Sequence, residues 1–224
     1  MKLAGKIVVI TGAANGLGKA LVQESSSHQA QVVAVDVDKI GLASLQNELP
    51  DIMTIAADVA DANELSKALE DTLKIHSQLD VWINNAGIMA ADGPAIKQSG
   101  EGIRRAFEVN TLAMIDGSIL VANYFSERPG GWIVNILSST ALEIVPGRSI
   151  YSATKHAGHA FTQALKLELA GVKVLAVYPD GIKTQLFGDS DEPNYDQFMT
   201  GAHVAQKIIA AIQTDNASDL VIKR

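Results

Sequence analysis

Tyr151 and Lys155, in the stretch YSATK, stand four residues apart. On a helix such a pair shares one face, so the ammonium can lie beside the phenol oxygen or reach past it to a ligand. A free phenol, with a pKa near ~10, is a poor base at neutral pH. A positive charge about 4 Å away, at an effective dielectric near 20, contributes roughly 4 kcal/mol to the phenolate and draws the group into the range where proton transfer is efficient. By itself a Tyr–Lys pair is ordinary helix surface. Ser138 gives it weight: it lies thirteen residues earlier, where the apolar run IVNILSS ends. Ligands of open parallel sheets bind at the carboxyl ends of strands. Hydroxyl and phenol can therefore converge on one substrate oxygen.

A second group of residues suits a dinucleotide. The stretch TGAANGLG runs from Thr11 to Gly18 and brings Gly12, Asn15, Gly16, Leu17 and Gly18 to a strand-to-helix turn. Glycines there let the backbone approach a pyrophosphate, and the N–H groups opening the helix face its charge. The spacing is G-x-x-x-G-x-G, with no Walker lysine. A tight turn without a ligand also favours glycine, so the context decides. Asp36 closes the next strand, eighteen residues beyond Gly18. A carboxylate there accepts hydrogen bonds from both ribose hydroxyls and repels a 2′-phosphate. Ala13, Ala14, Asn15 and Val37 supply no cationic clamp, and Lys39 is offset by Asp36 and Asp38. NAD is favoured over NADP. The competing reading of Asp36 is a helix N-cap.

These residues need a scaffold, and the apolar pattern supplies one. Short β-branched runs fall at 6–11, 31–35, 52–56, 81–84, 132–136, 172–178 and 220–223. Segments of helical period lie between them, at 16–28, 39–48, 63–76, 100–125, 149–170 and 202–213. IVVI, VVAV and WIVNI are almost continuously apolar, as strands covered on both faces are. The expectation is an α/β, Rossmann-like doubly wound parallel sheet in a three-layer αβα arrangement, one domain over residues 1–224. Residues 185–200 break the rhythm with acids and aromatics, and fit a lid or a tolerated insertion equally.

Composition removes other classes. The formal net charge of -7 disfavours nucleic acid and anionic membrane as partners, and the absence of cysteine excludes disulfides and thiolate chemistry. No apolar run is long enough to span a bilayer. The opening MKLAGKIVVITG reads as a first strand rather than a signal peptide, so a cytoplasmic location is expected. His156 and His159 are spaced for a metal but lack a third ligand nearby, and no metal is expected. His28, His76 and His203 fall at or near helix ends.

Taken in order, these stretches resemble the short-chain dehydrogenase/reductase family. TGAANGLG is similar to its cofactor turn, and DVAD resembles its adenine-side motif, with Asp58 and Val59 lining the base. NNAG, with Asn85, Ala86 and Gly87, resembles the motif flanking the cofactor. YPDGIKT, with Pro179, Ile182 and Thr184, resembles the segment under the nicotinamide. The resemblance implies Tyr151 as general acid or base and Ser138 as the group orienting the substrate oxygen. It implies Lys155 on the nicotinamide ribose, lowering the tyrosine pKa, and Asn110 anchoring a relay water. It also implies a homodimer or homotetramer, for which small residues such as Ala153, Gly158 and Ala160 suit close packing.

Departures from the family pattern are Leu137, where many relatives have a serine, and Asp180, where they have the glycine that here comes one place later. Ser139 is a rival to Ser138. Met89, Leu142, Val145, Tyr178 and Phe187 are expected to form an apolar wall, with Glu143 and Arg148 as polar contacts, for a largely uncharged alcohol or ketone. Two other readings are a dinucleotide sensor without turnover and an S-adenosylmethionine-dependent methyltransferase. The intact Tyr151–Lys155 pair weighs against both.

Overall fold

The computed structural model describes residues 1–89, 94–128, 130–184, 186 and 195–224. Seven strands form one sheet: β1 Ile7–Thr11, β2 Gln31–Asp36, β3 Met53–Ala56, β4 Val81–Asn84, β5 Trp132–Ile136, β6 Lys173–Pro179 and β7 Leu220–Ile222. Their spatial order is β3-β2-β1-β4-β5-β6-β7, and every pairing is parallel. The chain winds outward from β1 to β3, then crosses back to lay β4 on the other side of β1. A crevice must open between β1 and β4, where adjacent connections leave in opposite directions.

Alternation along each strand builds the layers. Val8 and Ile10 face one side, with Leu21 and Val22 of α1 (Gly16–Ser27), Leu45 of α2 (Lys39–Glu48) and Ile208 of α7 (Gly201–Gln213). Ile7 and Val9 face the other, with Leu65 of α3 (Ala62–His76), Phe125 of α5 (Ala113–Glu127) and Leu165 of α6 (Ser149–Glu168). The expected three-layer sheet is present, with strand ends within two residues of those read from the pattern. Among the described residues no helix is long and apolar enough to cross a membrane.

One expected helix is interrupted. The segment read as continuous over 100–125 is α4 (Gly100–Phe107), a π-helical turn (Glu108–Leu112) and α5. A single wide turn rotates the register by about one residue and often marks a functional site. A 3.6-residue period hardly registers so small a change. On α6, Ser152 and Gly158 are buried, whereas Ala153, Ala160 and Ala164 are exposed.

Between β4, β5 and the α5–α6 layer lies a buried polar network that the sequence pattern does not reveal. Trp82 Nε1 donates to Asn84 Oδ1 at 2.7 Å, and Asn84 Nδ2 donates to Ser118 Oγ at 3.0 Å and Asn135 Oδ1 at 2.8 Å. Asn135 Nδ2 donates onward to Thr162 Oγ1 at 3.0 Å. A Cβ at Gly117 would come within 2.5 Å of Asn84 Oδ1, so this helix residue must be glycine for the amide to fit. Buried polar groups left without partners cost far more than a bond made in water returns. Asn84→Ala, which strands the Trp82 indole N–H and takes one donor from Asn135 Oδ1, is expected to cost roughly 2–4 kcal/mol in urea denaturation. An unchanged denaturation midpoint would show that the network contributes nothing.

Candidate active site

The β1–α1 turn is shaped by contact. Gly12 has φ +64°, and a Cβ there would sit 2.7 Å from the Ala86 Cα. A Cβ at Gly18 would meet the Gly12 carbonyl oxygen at 1.9 Å. Asn85 and Thr11 lock the approach. Asn85 Nδ2 donates to the Thr11 and Gly12 carbonyls at 2.9 and 3.0 Å, and the Asn85 and Ala86 N–H groups donate to Thr11 Oγ1. Asn15, the N-cap of α1, makes no side-chain capping bond. The first-turn N–H groups are therefore left for an outside acceptor, as a pyrophosphate site requires.

At the end of β2, Asp36 accepts from the Ala14 and Asp38 N–H groups, both at 2.9 Å, one on each oxygen. The N-cap of α2 is Asp38, whose side chain accepts from Ile40 and Gly41 N–H. Capping therefore does not account for Asp36, which borders the cleft with spare lone pairs on a fixed carboxylate. Nearby, Asp58 accepts from Arg105 Nη2 at 2.8 Å. Burial pushes the Asp58 pKa up, but the Ala60 N–H and the Arg105 guanidinium outweigh it and hold the group below its usual value. Arg105 escaped sequence reading because nothing in α4 ties it to a distant strand end.

Gly12, Asn15, Gly18, Asp36, Asp58, Asn85, Ala86 and Arg105 border one cleft of about 690 Å³ over the carboxyl ends of the strands. Every residue expected to hold a dinucleotide, from Gly12 to Thr184, borders it, and so do Ser138, Tyr151 and Lys155. Tyr151 and Lys155 are 8% and 4% exposed. Thr140 donates to Ser138 Oγ through its N–H at 3.2 Å and its hydroxyl at 3.0 Å, leaving the serine proton for the Tyr151 oxygen. Ser139 turns away and donates to Asp180 at 3.4 Å. Of the two rivals, Ser138 is the one beside the phenol.

The electrostatics differ from expectation. Burial pushes the Tyr151 pKa up to about 12, opposed by the Ser138 hydrogen bond and the charge of Arg148. Lys155 Nζ lies 5.6 Å from the phenol ring centre and donates to the Ile136 carbonyl at 3.0 Å, while burial lowers its pKa to about 8. The ammonium is held by a backbone acceptor at the end of β5, a partner that spacing along α6 cannot disclose. Asn110 is also placed differently. It sits in the π-helical turn, 2% exposed and off the cleft wall. Its Oδ1 accepts from Ile88 N–H at 2.7 Å and its Nδ2 donates to the Ile88 carbonyl at 2.8 Å. The expected water anchor is committed to the backbone after β4.

Residues 6–194 match the short chain dehydrogenase family. The chain belongs to that family. Human L-xylulose reductase (Homo sapiens) is 34% identical over 188 residues, 82% of this chain and 75% of the relative. The 3-oxoacyl-(acyl-carrier-protein) reductase of Thermotoga maritima is 32% identical over 192 residues, 83% of this chain and 78% of the relative. Among solved structures, a 3-ketoacyl-(acyl-carrier-protein) reductase from Brucella melitensis complexed with NADH superposes with TM-score 0.92 at 25% identity, covering 98% of this chain and 97% of that one.

The departures of this short-chain dehydrogenase have local causes. Leu137 is buried against α6, where a Cβ on Gly158 would lie 3.0 Å from its Cδ2. Glycine is needed at position 181 because the Phe198 ring would lie 2.7 Å from a Cβ there. Met89, Val145 and Arg148 border the cleft as expected, but Leu142, Glu143 and Tyr178 do not. Leu142 and Glu143 are exposed. Tyr178 points into the α6 layer, where its hydroxyl accepts from Gln163 Nε2 at 3.0 Å and meets His159 Nδ1 at 2.8 Å. His159 is thereby engaged, and His156 Nδ1 lies 2.9 Å from the Ser152 carbonyl. Phe187 and the acidic stretch 187–194 lie outside the described residues. Of the apolar residues that follow it, Phe198 and Met199 are 7% and 9% exposed, whereas Tyr195 is 37% exposed.

The lowered Lys155 pKa carries a stability consequence. The unfolded chain, with the ordinary value of 10.5, holds the proton more tightly than the folded one, at about 8. Burying the charge therefore costs stability below pH ~8, and the cost fades as pH rises towards 10.5. Lys155→Met is expected to raise stability at neutral pH by on the order of 1–3 kcal/mol while abolishing turnover, with the gain shrinking in alkali. Thermal unfolding across that pH range checks it; a destabilised variant would overturn it.

Proposed function

We propose that this chain oxidises a secondary alcohol, or reduces the matching ketone, with NAD(H). The observation that carries the reading is the meeting of Ser138 and Tyr151 in the cleft that Gly12–Gly18 and Asp36 also border. The uncapped start of α1 fits a pyrophosphate, and the fixed Asp36 carboxylate fits a ribose with free hydroxyls. The dinucleotide, when bound, supplies the nicotinamide that accepts or gives the hydride.

The protein moves the proton and holds the oxygen. Ser138 donates a hydrogen bond to the substrate oxygen. Tyr151 gives its proton to that oxygen in reduction and takes it back in oxidation. A phenol at about 12 keeps its proton at neutral pH and is ready to donate, so oxidation requires it to become more acidic once cofactor and substrate are in place. Lys155 holds a ribose and supplies positive charge there. Asn110 acts through Ile88 as a positioning residue. Interactions stronger in the transition state than in the ground state raise the rate, and these groups are placed before substrate arrives. The sensor reading has no observation in its favour.

Tyr151→Phe is expected to reduce kcat by about 10²–10⁴-fold with NADH affinity within threefold, read by fluorescence titration and a panel of alcohols and ketones. Retained turnover would sink the acid–base role. For the cofactor, wild type is expected to bind NADH at least about tenfold more tightly than NADPH, and Asp36→Ala to erase that preference. Equal binding of both by wild type would remove Asp36 as the discriminating group.

A further inference from the structure

Charge is divided along the cleft. Among the described residues bordering it, Asp36, Asp38 and Asp58 stand at the β2 and β3 ends, and Arg105 is paired with Asp58. Lys155, Arg148 and Arg224 stand at the opposite end, with Asp180 the carboxylate among them. Glu143, expected to accompany Arg148, is exposed and off the wall. Among the described residues, the cations therefore gather at the end where Ser138 and Tyr151 meet.

Arg224 is held in a way that suits recognition. Its Nε donates to Asp180 Oδ2 at 3.0 Å, and its guanidinium lies 5.2 Å over the Phe198 ring. Asp180 is fixed in turn: its N–H donates to the Ile222 carbonyl at 2.9 Å, and its Oδ1 accepts from Ser139, next to Ser138. One edge and one face of the guanidinium are thus occupied. Its two terminal nitrogens have no partner among the described residues, and the side chain is 40% exposed on the cleft wall. A planar fork held this way matches a carboxylate, which it can bind through two parallel hydrogen bonds. Arg148 borders the same cleft and is close enough to Tyr151 to act on the phenol by its charge.

We propose that the substrate of this site carries a carboxylate besides its reacting oxygen, and that Arg224, oriented by Asp180 and Phe198, binds it. The substrate class is thus oxo acids and hydroxy acids rather than the uncharged compounds expected from the sequence. The inference rests on the hydride-transfer reading for the reacting group, but the anion site is testable without turnover.

The test uses the full chain loaded with NADH and two probes of equal shape, butyrate and butyramide, titrated calorimetrically at low ionic strength. Butyrate is expected to bind at least about tenfold more tightly, with the difference shrinking as salt is added and lost in Arg224→Gln. Equal binding of the two probes to wild type overturns the proposal without any variant. Should Arg224→Gln fail to fold, Arg224→Lys keeps the charge without the fork, and an intermediate preference is expected. In parallel, short aliphatic oxo acids are compared with their methyl esters as substrates. Preferred binding of butyrate with no reduction of acid or ester leaves the anion site standing and sinks the hydride-transfer reading. Reduction of acid and ester at equal kcat/KM with equal probe binding does the reverse.

Discussion

The site depends on one close approach between two backbones. Gly12 must lie against Ala86 with no side chain between them, and Thr11 and Asn85 fasten the contact with bonds that run from β4 back to the β1–α1 turn. Because β1 and β4 are neighbours whose connections leave in opposite directions, this contact closes the floor of the crevice. It also aims the start of α1 at the cleft without a cap. The free N–H groups there are a consequence of packing.

Tyr151 and Lys155 are costly where they stand. Burial makes the Tyr151 phenol less acidic and the Lys155 ammonium easier to discharge, so both charged forms are disfavoured there. The same low dielectric that imposes the cost strengthens each charge and dipole that acts within the cleft. Ser138 and Arg148 pull the phenol down against burial. Polar satisfaction elsewhere is tighter. Asn84, Asn135, Ser118 and Thr162 bond to one another beneath the site, which keeps β4 and β5 in register where Asn85 and Ser138 leave the sheet.

Charge at the cleft ends has its origin in strand order. Asp36 and Asp58 follow β2 and β3 on one side of the crevice; Asp180 and Arg224 follow β6 and β7 on the other. Residues more than forty positions apart therefore become neighbours through three parallel strand ends, as Ser139, Asp180 and Arg224 do. Among the described residues, the order of the sheet puts Asp36, Asp38 and Asp58 on one side of the crevice and Arg148, Lys155 and Arg224 on the other.

Local chemistry made much legible in the chain alone. Period and β-branching marked the strands, because both faces of a parallel sheet are buried. Glycine spacing marked the turn, and the Tyr151–Lys155 interval marked one helix face. Those features live within a few residues, where covalent spacing determines what can meet. The sequence could not disclose that Asn110 is bound to Ile88, that Lys155 donates to Ile136, that Tyr178 points away from the cleft, or that Arg224 joins it. Each of these depends on which strand end lies beside which, and on a single π-helical turn that reorients one side chain. Contacts of that kind are set by packing across the sheet, and only the folded chain decides them.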